Sequence, residues 1–213
     1  MVSFFDFLGS LALFPGECPA CGEDGKNNLC RSCLDQLPSA LLTLPKLPQF
    51  VSSGRVMSPY SGPVGNLLRC AKYRPDEKAC VQLASLLSSR IDGLDYDPDV
   101  VVGVPQSSLA TLKRGFSPVD CVAKAVGKKL MLQVKKPVWR RSGIAVAGVE
   151  KSARGHVASS LYWPVQGQTI EGRVLLVDDV ITTGSTASAV AQVLLEQGAE
   201  SVHLVALSSP AVA

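Results

Sequence analysis

The chain of 213 residues has no run of 18 uncharged apolar residues, so it offers no membrane-spanning helix. It has no GxxxxGK[ST] and no GxGxxG, which excludes a P-loop and a dinucleotide fingerprint. Aromatic residues make up 6 %, and between Lys113 and Arg154 only Phe116 and Trp139 occur, a thin supply for stacking nucleic-acid bases. The apolar start, residues 4–14, contains Asp6 and no preceding Lys or Arg, so it lacks the basic flank and small-residue cleavage site of a signal peptide. Phe4, Phe5, Leu8, Leu11 and Ala12 follow helical spacing and predict an amphipathic helix. With 46 % apolar and 18 % charged residues, the composition also excludes a disordered chain and a bare disulfide scaffold.

Charge is unevenly placed. The net charge is +3, but the stretch 111–154 holds eleven basic against two acidic residues, or +9, and the remainder is −6. A basic middle on an acidic protein suits an anionic ligand such as phosphate, pyrophosphate or a nucleic-acid backbone; a solvated basic face is the plain alternative.

Seven cysteines point to a reducing compartment, the cytoplasm, and to thiols or metal rather than disulfides. Four of them form Cys18-x2-Cys21-x8-Cys30-x2-Cys33. Two CxxC turns bring four thiolates to one point, which matches a closed, structural Zn²⁺ site. Cys70, Cys80 and Cys121 fall on predicted helices and read as core thiols.

Strand and helix patterns alternate after residue 55. Val64, Leu67, Leu68 and Ala71 mark a helix, as do Cys80, Leu83, Ala84, Leu87 and Ile91. Residues 100–104 and 174–177 are continuous apolar runs, typical of strands buried on both faces. Ser117-Pro118 caps a helix, a weak strand is predicted at 134–138, residues 140–160 read as a loop, and a helix spans 185–197 before a last strand at 202–207. The predicted fold is α/β, a parallel twisted sheet flanked by helices, behind a small metal-binding module. The expected division is residues 1–37 for the helix and cysteine module, 38–54 for a proline-bearing linker, and 55–213 for the main domain.

The most informative stretch is VLLVDDVITTGST, residues 174–186. A hydrophobic strand is expected to end in Asp178 and Asp179. The loop that follows carries Thr182, Thr183, Gly184, Ser185 and Thr186 and opens a helix. In an open α/β sheet ligands bind beyond the carboxyl ends of the strands, and a helix N-terminus favours phosphate. Carboxylates accept hydrogen bonds from vicinal hydroxyls. The combination predicts a phosphorylated sugar with free 2′ and 3′ hydroxyls.

This stretch resembles the phosphoribosyl-pyrophosphate (PRPP) motif of type I phosphoribosyltransferases. With the four cysteines, Tyr60-Ser-Gly62, Lys72-Tyr73, Val104-Pro105 and Arg114-Gly115-Phe116, the chain resembles the ComF family of competence-associated, phosphoribosyltransferase-like proteins over about residues 4–210. The resemblance implies that Asp178 and Asp179 hold the ribose hydroxyls and residues 182–186 the 5′-phosphate. Pro105, Gln106 and Ser107 stand where the family has its pyrophosphate loop, followed by Lys113 and Arg114, and Lys72 is a candidate pyrophosphate contact. The stretch 140–157 resembles the family's flexible lid and ends in Lys151 and Arg154. The family usually has Arg-Gly-Phe-Asn-Gln where this chain has Ser117-Pro118, and Gly143, Val146 and Val157 fall where its lid carries Thr, Gln and Asn. These departures bear on turnover and acceptor more than on PRPP binding.

The implied activity is Mg²⁺-dependent transfer of the phosphoribosyl group to an unidentified nitrogen acceptor. The alternative is a non-catalytic factor in DNA uptake or processing, with single-stranded DNA or a helicase-like protein as partner; a second copy of the chain, in a homodimer, is a further candidate partner. His203 lies in an apolar strand and reads as structural, and His156 lies in the lid. Trp139 and Trp163 flank the lid and read as packing residues.

Overall fold

The computed structural model describes residues 16–24, 28–73, 76–141 and 161–212. The predicted N-terminal helix at 4–14 lies outside them. Residues 142–160 also lie outside them, and with them Gly143, Val146, Lys151, Arg154, His156 and Val157 and most of the 140–157 stretch that resembles the family's lid.

The described residues form eight strands: β1 (Leu42–Thr43), β2 (Ser53–Pro59), β3 (Val100–Gly103), β4 (Val134–Lys135), β5 (Val138–Arg140), β6 (Tyr162–Pro164), β7 (Arg173–Val180) and β8 (Ser201–Ser209). Six of them make one sheet in the order β1-β2-β8-β7-β3-β4. All neighbours run parallel except β1, which pairs antiparallel with β2 at the edge. The stretch 38–54, expected as a linker, therefore adds a strand to the sheet. A second, two-stranded antiparallel ribbon pairs β5 with β6. The single strand expected at 134–138 is thus two strands in two sheets. Pro137 separates them, since its ring removes the N–H that a continuous ladder needs.

Side chains alternate across β7 because the strand period is two. Leu175 and Val177 join one buried cluster with α2 (Pro63–Tyr73), α3 (Glu77–Ser88) and α5 (Pro118–Leu130). Val174 and Leu176 join a second cluster with α6 (Ser185–Glu196) and the β5–β6 ribbon. The sheet is sandwiched between these two layers. Cys18, Ala20, Leu29 and Cys33 belong to the first cluster, so the cysteine module, with its short helix α1 (Arg31–Asp35), is seated on the main domain. A fully buried leucine contributes about 2 kcal/mol. Leu67 and Leu68, at 0 % and 1 % exposure, hold α2 between module and sheet.

Local signals set the helix ends. Asp76 caps α3 by accepting from the N–H of Lys78 and Ala79. Ser117 caps α5 with Pro118 at its first position. Gly65 lies so close to Tyr60 that an added Cβ would clash with the Tyr60 carbonyl oxygen, so α2 can leave β2 this tightly only with glycine there. A short helix absent from the sequence reading, α4 (Ser108–Arg114), follows β3 and buries none of its residues.

Candidate functional site

The strand β7 does not stop before the aspartates. It runs through Asp178 and Asp179 to Val180, with Asp178 opposite Ala206 and Val180 opposite Ser208. The ladder with β8 holds this last part extended, so the two carboxylates leave the strand toward opposite faces. The strand was expected to end in the aspartate pair, and it extends one residue past it, to Val180.

Asp179 faces the layer of α2 and α5. Its Oδ2 accepts from Lys72 Nζ at 2.8 Å and from Gln106 Nε2 at 2.7 Å. Gln106 Oε1 in turn accepts from an Arg114 guanidinium nitrogen at 3.0 Å and from Ser117 Oγ at 3.5 Å. One carboxylate thereby gathers α2, the turn after β3, the end of α4 and the cap of α5. Lys72, expected to face pyrophosphate, is an ion-pair partner of Asp179 here. Arg114 ends α4, where Gly115 takes φ +78 and closes the helix. Pro105, Gln106 and Ser107 are half-buried and Lys113 is exposed.

Asp178 faces the layer of α6 and the ribbon. Its Oδ1 accepts from the backbone N–H of Asp179 at 2.8 Å. Burial, followed by the neighbouring Asp179 carboxylate, pushes its carboxyl up to about 8, against the pull of that N–H and of Lys72. Tyr162 approaches from β6. Burial pushes its hydroxyl up, against the pull of the Arg140 guanidinium, with the Asp178 carboxylate adding to the rise. Sequence reading missed Tyr162 because the ribbon that carries it is formed by strands more than twenty residues apart, with no local signal beyond Tyr162-Trp163 themselves.

The loop between β7 and α6 is rich in hydroxyls and opens the helix. Thr182 and Thr183 are exposed, and the Thr183 and Ser185 hydroxyls lie 3.1 Å apart. Gly184 caps α6 at φ +76 and leaves the first N–H groups of the helix without intrahelical partners. A Cβ on Gly184 would stand 2.8 Å from Pro48 Cγ, so the 44–51 segment closes over this loop.

Four sulfurs meet in the module. All lie within 4.8 Å of one another, with Cys18 to Cys33 at 3.8 Å and Cys21 to Cys30 at 3.6 Å. Metal–sulfur bonds of about 2.3 Å in a tetrahedron place sulfurs about 3.8 Å apart, so this cluster fits a metal such as zinc and is too wide for disulfides. Burial opposes ionisation of Cys18, but N–H groups at Cys30, Ala20 and Cys21 bring its thiol down to about 7. Burial and the surrounding thiols push Cys33 up.

The other singled-out residues fall away from these sites. His203 is stacked on Tyr96 at 3.8 Å and bonded at both ring nitrogens to Ser53 and Ser201, a structural arrangement near the amino ends of the strands. Cys80 is buried, and the neighbouring Cys80 thiol, against the effect of burial, brings the Cys121 thiol down to about 7; both thiols are free. A cavity of about 250 Å³ lined by Asp99, Gln133 and Glu171 also lies at the amino ends, remote from the aspartates.

A parallel sheet with an aspartate pair leading into a hydroxyl-rich loop defines a phosphoribosyltransferase-type fold. The phosphoribosyl transferase domain family matches residues 76–211, and the chain belongs to that family. Within it, the chain is of the ComF type. It is 32 % identical over 200 residues to the DNA utilization protein YhgH of Salmonella typhi, covering 88 % of this chain and 81 % of that protein. It is 28 % identical over 202 residues to YhgH of Escherichia coli (strain K12), with the same coverage. It is 30 % identical over 125 residues to the competence protein ComFC of Streptococcus pneumoniae (strain ATCC BAA-255 / R6), covering 58 % of this chain and 53 % of that protein. Among solved structures, orotate phosphoribosyltransferase from Aeropyrum pernix aligns at 21 % identity and TM-score 0.40, over 82 % of this chain and 76 % of that one. Among the described residues no helix is long and apolar enough to cross a membrane.

Proposed function

We propose that the chain binds PRPP with Mg²⁺ and transfers its phosphoribosyl group to a nitrogen acceptor, releasing pyrophosphate. The observation that carries this reading is the Asp179 cluster of Lys72, Gln106 and Arg114 beside the 182–186 loop. In this reading Thr182, Thr183, Gly184, Ser185 and Thr186 hold the 5′-phosphate at the N-terminus of α6. Asp178 and Asp179 accept from the ribose hydroxyls. Lys72 and Gln106 exchange Asp179 for the pyrophosphate side of the substrate, where Arg114 and Lys113 add positive charge, and Pro105 and Ser107 complete the turn. Lys151 and Arg154 serve from the lid.

The reaction breaks the C1′–O bond, and its electron pair leaves with pyrophosphate while the acceptor nitrogen bonds to C1′ and sheds its proton. Cations placed where that negative charge develops lower the barrier. Carboxylate oxygens suit Mg²⁺, which would neutralise the leaving group when bound with PRPP. Cys18, Cys21, Cys30 and Cys33 hold Zn²⁺ in a structural role. The chain then consists of a metal module (1–37), a connection (38–54) and a phosphoribosyltransferase-like domain (55–213), working where thiols stay reduced.

Calorimetry with PRPP and Mg²⁺ tests this reading. Wild type gives a saturable heat, and Asp179→Asn weakens binding about tenfold or more, the worth of one hydrogen bond to a charged group. A flat trace for wild type sinks the proposal.

A second reading, single-stranded DNA as partner, is favoured by one feature. Trp139 and Trp163 pair in register across the ribbon and are 45 % and 48 % exposed, and Arg141, one residue past β5, is exposed too. The names of the relatives, DNA utilization and competence proteins, support it. An oligonucleotide that stacks there quenches tryptophan fluorescence with affinity falling steeply in salt, and Trp139→Ala removes most of the quench. Unchanged fluorescence at low salt counts against this partner.

A further inference from the structure

Helix α2 touches both the cysteine module and the aspartate cluster, through different residues. Asn66 Nδ2 donates to the carbonyl of Ala20 at 2.5 Å, and Cys70 Sγ donates to the carbonyl of Pro19 at 3.4 Å. Both carbonyls lie inside the first CxxC turn, between Cys18 and Cys21. Asn66 and Cys70 are four residues apart and share one helix face. Lys72, two residues further, leaves from another face and pairs with Asp179.

The helix between these contacts has little room to adjust. At its start Gly65 is pressed against the Tyr60 carbonyl, and Arg69 bonds to Asn66 Oδ1 while lying over the Tyr60 ring. Leu67, Leu68 and Ala71 are buried in the cluster that also holds Cys18 and Cys33. From Asn66 to Lys72 the helix rises about 9 Å.

A bound metal fixes the shape of a CxxC turn, because two thiolates must reach one ion. It thereby fixes where the Pro19 and Ala20 carbonyls point. Those carbonyls hold Asn66 and Cys70, and the helix carries that constraint to Lys72. We propose that metal binding at the four cysteines and ligand binding at Asp179 are energetically coupled through α2, with Asn66 as the positioning residue. The module is then a part of the phosphosugar site rather than a remote stabiliser. Coupling is reciprocal, so PRPP must tighten the hold on the metal by the factor by which metal tightens PRPP. The ligand named here rests on the reading above; the mechanical link does not.

The experiment uses the full zinc-loaded chain and two readouts. In the first, zinc release to a chromogenic chelator is timed with Mg²⁺ alone and with PRPP plus Mg²⁺. PRPP is expected to slow release about fivefold, near the low end of common coupling factors, and Asn66→Ala is expected to erase the difference. In the second, amide hydrogen exchange compares zinc-loaded wild type with zinc-loaded Asn66→Ala, without PRPP. Exchange over residues 181–186 is expected to quicken about fivefold in the variant while β3 and β8 keep their protection. Wild-type exchange at 181–186 in the variant overturns the coupling, whether or not PRPP binds. Saturable PRPP binding with unchanged zinc release also overturns it and leaves the proposed function standing.

Discussion

Replacing Asp178 by asparagine should make the protein more stable at pH 8.5 and, under the proposed function, lower its affinity for PRPP. The side chain is 6 % exposed, and its carboxyl is pushed from 3.8 to about 8 by burial and then by Asp179. In the unfolded chain it ionises at the ordinary value, so between these pH values the folded state binds more protons than the unfolded one. Stability then falls as pH rises through that window, by up to about 1.4 kcal/mol per unit. Asparagine keeps an oxygen for the Asp179 N–H and carries no such penalty. The variant and wild type should melt together at pH 4 and separate steadily toward pH 8. At pH 8.5 the variant should melt higher by about 10 °C, at about 2–4 °C per kcal/mol for a chain of this size. Melting curves at several pH values measure this, and a variant that melts lower at every pH refutes it. PRPP affinity should fall about 100-fold, the worth of one or two hydrogen bonds to a charged acceptor. In wild type, binding that ionises Asp178 releases a proton, so affinity should rise with pH up to about 8.

Cys33→Ser should have the larger structural effect. Cys33 is 4 % exposed, and its sulfur stands 3.8 Å from that of Cys18 in a set of four. Removing one thiolate opens the tetrahedron, and for small metal modules the binding free energy is folding free energy, about 10–16 kcal/mol in zinc-finger peptides. Part of that loss is local, because the sheet and helices have their own core. The rest reaches the main domain, since Cys18, Ala20, Leu29 and Cys33 share a buried cluster with Leu67, Leu68 and Leu83. The expected result is a fall in bound zinc from one per chain to near zero and a melting temperature lower by roughly 10 °C or more, several kcal/mol at about 2–4 °C each. Cys121→Ser, outside the set, should leave the metal content unchanged. Full metal content in Cys33→Ser would refute the four-sulfur site.

Much of this molecule was readable along the chain. Residues 100–104 and 174–177 announced central parallel strands because each is buried on both faces and so carries no polar alternation. Ser117-Pro118 announced a helix start because the cap hydroxyl and the missing proline N–H answer the same local need, and Ser117 does accept from Asp120 N–H at 3.1 Å. The cysteine spacing announced a converging set because two tight turns leave little choice. Where reading along the chain stopped short, the determinant lay elsewhere in space. The strand β7 outlasts its apolar run because β8 continues to pair with it as far as Ser208. The β5–β6 ribbon exists because two segments far apart in sequence meet over α6.

Local sequence settles which groups are present and the conformations they need: four thiols in paired turns, an aspartate pair on a buried strand, and a glycine-bearing loop opening a helix. These follow from spacing and backbone preference, which act over a few residues. What each group faces is set by packing across the whole fold. Strand pairing sends Asp178 and Asp179 to opposite sides of the sheet, packing brings Lys72 and Gln106 to one carboxylate, and α2 joins the cysteine turn to that cluster. The partners in those contacts stand tens of residues apart along the chain or more, so they come from how layers pack rather than from any local pattern.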